Sequence, residues 1–146
     1  MRRIAASEAR RNWLLKLDEA LLVGGAIIPE WCTLMIFEAD TCFVAGADIS
    51  TIIVATAAIE TFLRSEANAK KSMRLVDLVR ESDLPDELAD EIGSLRKKRN
   101  RWVHLKSVNG DDNLNCYTDA YSEELENDAY RACRALREVI YLNQFL

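Results

Sequence analysis

The chain is poor in histidine, proline and glycine, with one His, two Pro and five Gly in 146 residues. A single imidazole gives a Cys/His zinc site little to build on, and the four cysteines (Cys32, Cys42, Cys116 and Cys133) contain no Cys-x-x-Cys pair. No metal and no cofactor are expected, and without a secretory signal the cysteines read as reduced thiols of the core. A long apolar run is also missing. The longest uncharged stretch, Ile49 to Ile59, is eleven residues, against the roughly 18 that a membrane helix requires. Met1-Arg2-Arg3 imitates the start of a signal peptide, but Lys16, Asp18 and Glu19 interrupt any apolar segment behind it. A soluble, cytoplasmic chain with no membrane partner is the expectation. Positive charge is the last shortage: the net charge of −5 argues against bulk electrostatic binding of DNA or RNA, so a nucleic-acid role has to sit on a local patch.

What is present suits a single domain over residues 1–146. Apolar residues make up 49% and charged residues 29%, too apolar for a disordered tail. A chain of this length buries about 68–70% of its extended surface. No internal repeat or low-complexity segment points to a solenoid or a linker-joined pair. The pattern reads as helices throughout. Ser7 with Glu8 opens one that runs to about Val23 and stops at Gly24-Gly25. A second spans Glu30 to Ala45, with Pro29 at its start and Gly46 as its stop. Asp48 or Ser50 caps a third, from about Ile49 to Glu66. The segment 68–72 looks like a connection, followed by a short helix around Met73–Glu81. Asp83 is expected to cap the next, with Pro85 in its first turn and its end near Lys106; Ser107 to Asp119, rich in Asn, Asp and Gly, reads as a loop. The last helix covers Ala120 to Leu142, with Leu125, Ala129, Cys133, Leu136 and Ile140 at helical spacing. An all-α, up-and-down bundle of about five to six helices follows.

The third helix is uncharged on every side from Ile49 to Ile59, which marks a central element covered by neighbours. Glu60 falls on the same face as Ile49, Ile52 and Ile53. Either this carboxylate has a partner, because an unpaired buried charge costs several kcal/mol, or the helix end is already exposed there.

The most informative stretch is Arg96-Lys97-Lys98-Arg99-Asn100-Arg101-Trp102-Val103-His104, which holds five of the 19 Lys and Arg and the only His. One reading is a solvated helix face with Trp102 in the core. Helical phasing works against it for one residue. Leu88, Ile92, Leu95 and Trp102 form an apolar stripe, and Arg99 occupies its missing position, four residues after Leu95 and three before Trp102. A guanidinium on that stripe suggests a paired arginine, with Glu60 as one candidate partner.

Arg99-Asn100-Arg101-Trp102-Val103-His104 resembles the shared motif of the HEPN family of small helical domains: Arg, four to six residues, then His, often with a polar residue after the Arg. The surroundings are similar too. The turn Phe43-Val44-Ala45-Gly46-Ala47-Asp48 leads into the Ala-rich run Ala55 to Leu63, and Leu84-Pro85-Asp86-Glu87-Leu88 opens the motif helix. The resemblance covers about Pro29 to Leu142, so that residues 29–146 form the HEPN-like bundle and residues 1–28 an added N-terminal helix. It implies a homodimer whose motif helices meet in a cleft, often acting as a metal-independent endoribonuclease. Lys106 stands where the toxin branch of that family carries Tyr, two residues after the His, a departure from that branch.

The chemistry can be argued separately. Metal-free RNA cleavage needs a base for the ribose 2′-hydroxyl, an acid for the leaving 5′-oxygen and a cation for the charge growing on phosphorus. Histidine serves either proton role, and arginine clamps phosphate oxygens with two hydrogen bonds. One chain has one His; a two-fold dimer supplies two copies each of His104 and Arg99. Asn100, four residues before His104, can orient the imidazole or touch phosphate. Arg99 and His104 lie about 140° apart on an ideal helix, so meeting requires a distorted helix, a wrapped Arg side chain or a cleft built across subunits.

Two roles are carried forward. One is an RNA-cleaving or RNA-binding homodimer, a toxin or defence effector restrained by an antitoxin or other regulatory protein, with Arg99, Asn100 and His104 catalytic, Glu60 supporting, and Lys97, Lys98, Arg101 and Lys106 on the RNA backbone. The other is a non-catalytic helical module that dimerises or binds a protein or nucleotide and retains the motif. The overall acidity counts against a helix-turn-helix DNA reader. Tyr117, Tyr121, Tyr130 and Tyr141 either stack bases or edge the core.

Overall fold

The computed structural model describes residues 2–67, 73–104 and 119–146. Six helices make up the described residues: α1 (Arg2–Leu21), α2 (Glu30–Ala45), α3 (Asp48–Glu66), α4 (Leu75–Glu81), α5 (Asp86–Val103) and α6 (Asp119–Ile140). The class expected from the pattern, all-α, is the class found. The proposed connection at 68–72 and all of the proposed loop before Asp119, with Lys106, Cys116 and Tyr117, lie outside the described residues; Asp119 itself is already helical.

The helix bounds show which signals governed. α2 runs between Pro29 and Gly46 as expected; Gly46 takes φ 79° and its N–H bonds back to the carbonyls of Cys42 and Phe43, the left-handed stop that glycine adopts without a Cβ penalty. α1 starts at Arg2 rather than Ser7, because Ala5, Ala6 and Ala9 sustain helix on both sides of the serine. Neither Asp48 nor Ser50 caps α3: its boundary residue is Ala47, with no side-chain cap bond, and the Asp48 carboxylate accepts instead from Arg10 at 2.6 Å. α4 starts at Leu75 rather than Met73. Asp83 does not cap α5 either. Pro85 sits just outside the helix at ψ 141°, and the bias of a pre-proline residue against α geometry accords with Leu84 lying outside it as well. α5 stops at Val103, short of Lys106, and α6 at Ile140, short of Leu142.

α3 is the central helix, packed on α2, α4, α5 and α6. Its buried face, including Ile52, Ala55, Ala58, Ile59, Phe62 and Leu63, meets the α6 stripe of Ala129, Cys133, Leu136 and Ile140, while Leu88, Ile92 and Leu95 close the core from α5. α1 packs on α2 and α6: Leu14 and Leu17 are buried, and the Trp13 ring lies 4.7 Å from Tyr130 and 5.6 Å from Phe43, centroid to centroid. The N-terminal helix is thus part of the core from Arg10 onward.

Ion pairs staple this side shut. Arg137, 3% exposed, reaches Asp18 of α1 at 2.8 Å and Asp40 of α2 at 2.8 Å. Burial alone would lower its pKa, but the bonds and charges of Asp40 and Asp18 outweigh that and raise it. Arg10 bonds to Asp48 and to the Phe43 carbonyl, with its guanidinium over the Phe43 ring. α1 stops at Leu21, short of Val23 and ahead of Gly24 and Gly25. A Cβ on either would fall 2.4 Å from the carbonyl oxygen or the ring of Phe145, and Gly25 pairs with Phe145 in an isolated β-bridge.

Candidate functional site at the C-terminal end of α5

Arg99 lies where the stripe places it, facing α3. Its guanidinium is 3.9 Å from Glu60 and donates to the Asn100 side-chain oxygen at 3.2 and 3.3 Å. The suggested Glu60 contact is therefore present, but loose. The tighter partner of Glu60 is Arg64, one turn on in α3, at 2.9 Å, and both Arg99 and Glu60 are half-buried. Of the two alternatives for Glu60, the partnered carboxylate is the one found, half-buried with Arg64 as its closer cation.

His104 terminates α5. Its N–H still bonds to the Asn100 carbonyl at 3.0 Å, but its own backbone is extended (φ −116°, ψ 104°), so the 140° of an ideal helix no longer sets its direction. The residue is exposed. Arg99, Asn100 and His104 thus share one open helix end. Asn100 receives the Arg99 guanidinium on its side-chain oxygen, while its bond with His104 is the main-chain bond of the last helical turn and does not involve the imidazole.

The four cations assigned to the RNA backbone separate. Lys97 is exposed and lines a cleft of about 460 Å³ between α4 and α5, floored by Leu75, Val79 and Ile92. Lys98 and Arg101 both bind Glu124 of α6, at 2.8 and 2.6 Å, and Lys98 also lies 3.5 Å from the buried Asp128. Lys106 is outside the described residues. The hydrogen bond from Lys98, with the charges of Lys98 and Arg101, holds the Glu124 carboxyl below the usual carboxylate range despite burial. Linear spacing does not disclose Glu124 as a partner, because a cross-helix clasp depends on tertiary phase. Trp102 packs against the core, under Arg101 at 4.8 Å and edge-on to Tyr121 at 6.0 Å.

The other described tyrosines are framework. Tyr130 stacks edge-on to Phe43. Tyr141 donates to Asp18 at 2.9 Å, and burial together with that carboxylate pushes its phenol up to about 12. Cys32 and Cys133 are buried, and Cys42 is half-buried. No cluster of three or more His, Cys, Asp or Glu able to hold a metal ion occurs among the described residues, and no described helix is long and apolar enough to cross a membrane.

What stands defined is an all-helical bundle with a polar, partly open Arg–Asn–His helix end. Comparison with family models, curated proteins and solved structures returned no match.

Proposed function

We propose that the chain is a HEPN-like, metal-independent endoribonuclease that works as a homodimer, with Arg99 and His104 at the reacting phosphate. The observation that carries this reading is the contrast in commitment around α5. Lys98 and Arg101 are held at 2.8 and 2.6 Å by Glu124, whereas Arg99, on the apolar stripe and five residues before an exposed histidine, keeps its cross-helix carboxylate at 3.9 Å. A guanidinium so placed can exchange Glu60 for a phosphate, a bidentate acceptor of the same geometry.

In this reading the 2′-oxygen of a ribose forms a bond to the adjacent phosphorus as the bond from phosphorus to the 5′-oxygen breaks. One His104 takes the 2′-hydroxyl proton, and the partner's His104 gives a proton to the departing 5′-oxygen. Arg99 neutralises the charge that builds on the non-bridging oxygens. The products are a 2′,3′-cyclic phosphate and a 5′-hydroxyl. Asn100 holds the Arg99 guanidinium through its side-chain oxygen. A toxin or defence role, with a protein that restrains the activity, accompanies this proposal.

A second reading, a non-catalytic module that keeps the motif for structure, draws on the same clasp: Glu124 consumes two of the cations that RNA would use, and Glu60 is within reach of a third. Incubation of the purified chain with structured and single-stranded RNA in excess EDTA separates the two. Cleavage that leaves cyclic phosphate ends, and that disappears in folded Arg99→Ala and His104→Ala, is the expected result. Folded protein that cleaves none of a varied RNA set establishes the module instead.

A further inference from the structure

α2 is apolar on both sides. Its inner side supplies Cys32, Ala39 and Phe43 to the core, yet Trp31, Leu34 and Phe37 point outward, 65%, 48% and 66% exposed, with Ile27 ahead of them also open. A helix that is hydrophobic all round belongs inside a structure, and this one has nothing on its outer side among the described residues. The charges of α2 are Glu30, Glu38 and Asp40, with no Lys or Arg in the helix. Asp40 is taken by Arg137, while Glu30 and Glu38 remain exposed on the outer side. A partner for this face is therefore apolar and cationic.

The same chain has such an element. The first turns of α1 project before Arg10, which is the first residue of the helix to be buried. From Arg3 to Ala9 every residue except the half-buried Ser7 is exposed, so little among the described residues covers the helix there. The projection is thin and mostly apolar (Ile4, Ala5, Ala6, Ala9), and its exposed charges are the cations Arg3 and Arg11 against one carboxylate, Glu8. Helical turns that stand alone gain little of the tertiary packing from which most helical stability comes.

We infer that a second copy of this chain covers the outer face of α2: the projecting start of α1 from each protomer lies across Trp31, Leu34 and Phe37 of the other, with Arg3 and Arg11 near Glu30 and Glu38. The contact is made twice about one two-fold axis, as an isologous interface requires. Two large aromatics two-thirds exposed, with Leu34 and Ile27, offer roughly 400 Å² per contact. Doubled by symmetry, this approaches the roughly 800 Å² per partner of a standard interface. The contact lies apart from the α5 helix end, because neither α1 nor α2 touches α5 among the described residues. A monomeric wild type overturns this contact and the homodimer of the proposed function together, whereas the response to substitutions in α1 and α2 bears on this contact alone.

The test is sedimentation equilibrium of the full chain and of two exposed-site variants, Phe37→Asp and Ile4→Asp, with circular dichroism to show that helix content is retained. The expected result is a wild-type assembly whose mass halves in each variant, with association weakened at least about 30-fold, the effect of losing a hot-spot residue. Mixing the two variants should restore association, because one undamaged α1 then meets one undamaged α2. A monomeric wild type, or an assembly indifferent to both substitutions, overturns the inference. Sensitivity to Phe37→Asp alone, without rescue on mixing, overturns it in favour of α2 packing on α2 or on a different protein.

Discussion

Arg137 and Arg99 occupy equivalent places in their helices and meet different surroundings. Each is an arginine on an apolar stripe: Arg137 lies between Cys133 and Ile140 of α6, Arg99 between Leu95 and Trp102 of α5. Arg137 is sealed, with two carboxylates from two other helices at 2.8 Å. Arg99 is half-open, with one carboxylate at 3.9 Å and a neighbouring amide. The first arrangement spends its hydrogen-bonding capacity on holding α1 and α2 to α6. The second leaves it available. A charged residue on a stripe therefore signals a partner, and the tightness of the partnership separates framework from site.

That contrast can be broken at either end. The largest effect is expected at the sealed one: Arg137→Ala leaves Asp18 and Asp40 without their buried cation and should cost about 3–5 kcal/mol, the range for breaking a buried pair, read from urea unfolding. At the open end, His104→Ala should lower RNA cleavage by at least about 100-fold, as loss of a general acid–base group does, and Arg99→Ala should do likewise. Each should change unfolding stability by less than about 1 kcal/mol, as for other partly solvated pairs. A loss of stability from Arg99→Ala as large as that from Arg137→Ala would erase the distinction.

The Glu124 clasp gives a smaller, pH-dependent effect. Its folded carboxyl is held below the unfolded value, which is about 4.3. Its contribution to stability is thus complete above about pH 4.3 and disappears as pH falls through the lower folded value. Glu124→Gln should flatten the acid side of the stability profile. It should also free Lys98 and Arg101, tighten RNA binding and steepen the salt dependence by about 0.7 for each phosphate newly neutralised on a single strand. Subtlest is a thiol measurement. Burial pushes Cys133 up to about 12, so alkylation at pH 8 should modify half-buried Cys42 and spare Cys133 until Arg137→Ala opens the seam beside it.

Much of the fold was legible where punctuation is local. Pro29 and Gly46 delimit α2 because ring geometry and a left-handed stop act within a few residues, and the charge-free run from Ile49 marked α3 as central for the same kind of reason. Asp83 misled because a capping residue looks the same whether or not the proline after it moves the boundary. At the site, phasing identified Arg99 and its contact with Glu60. The same phasing applied to Arg137 marks a paired arginine on α6, though not Asp18 and Asp40 as its partners. Nothing in the spacing revealed that Glu124 claims both Lys98 and Arg101, since that depends on how α5 and α6 cross.

The most direct test sets cleavage against stability in one preparation of the Arg99→Ala/His104→Ala double variant. Cleavage of RNA in EDTA abolished, with unfolding free energy within about 1 kcal/mol of wild type, is the result this account predicts. A variant that still cleaves, or one that unfolds as readily as Arg137→Ala, would contradict it.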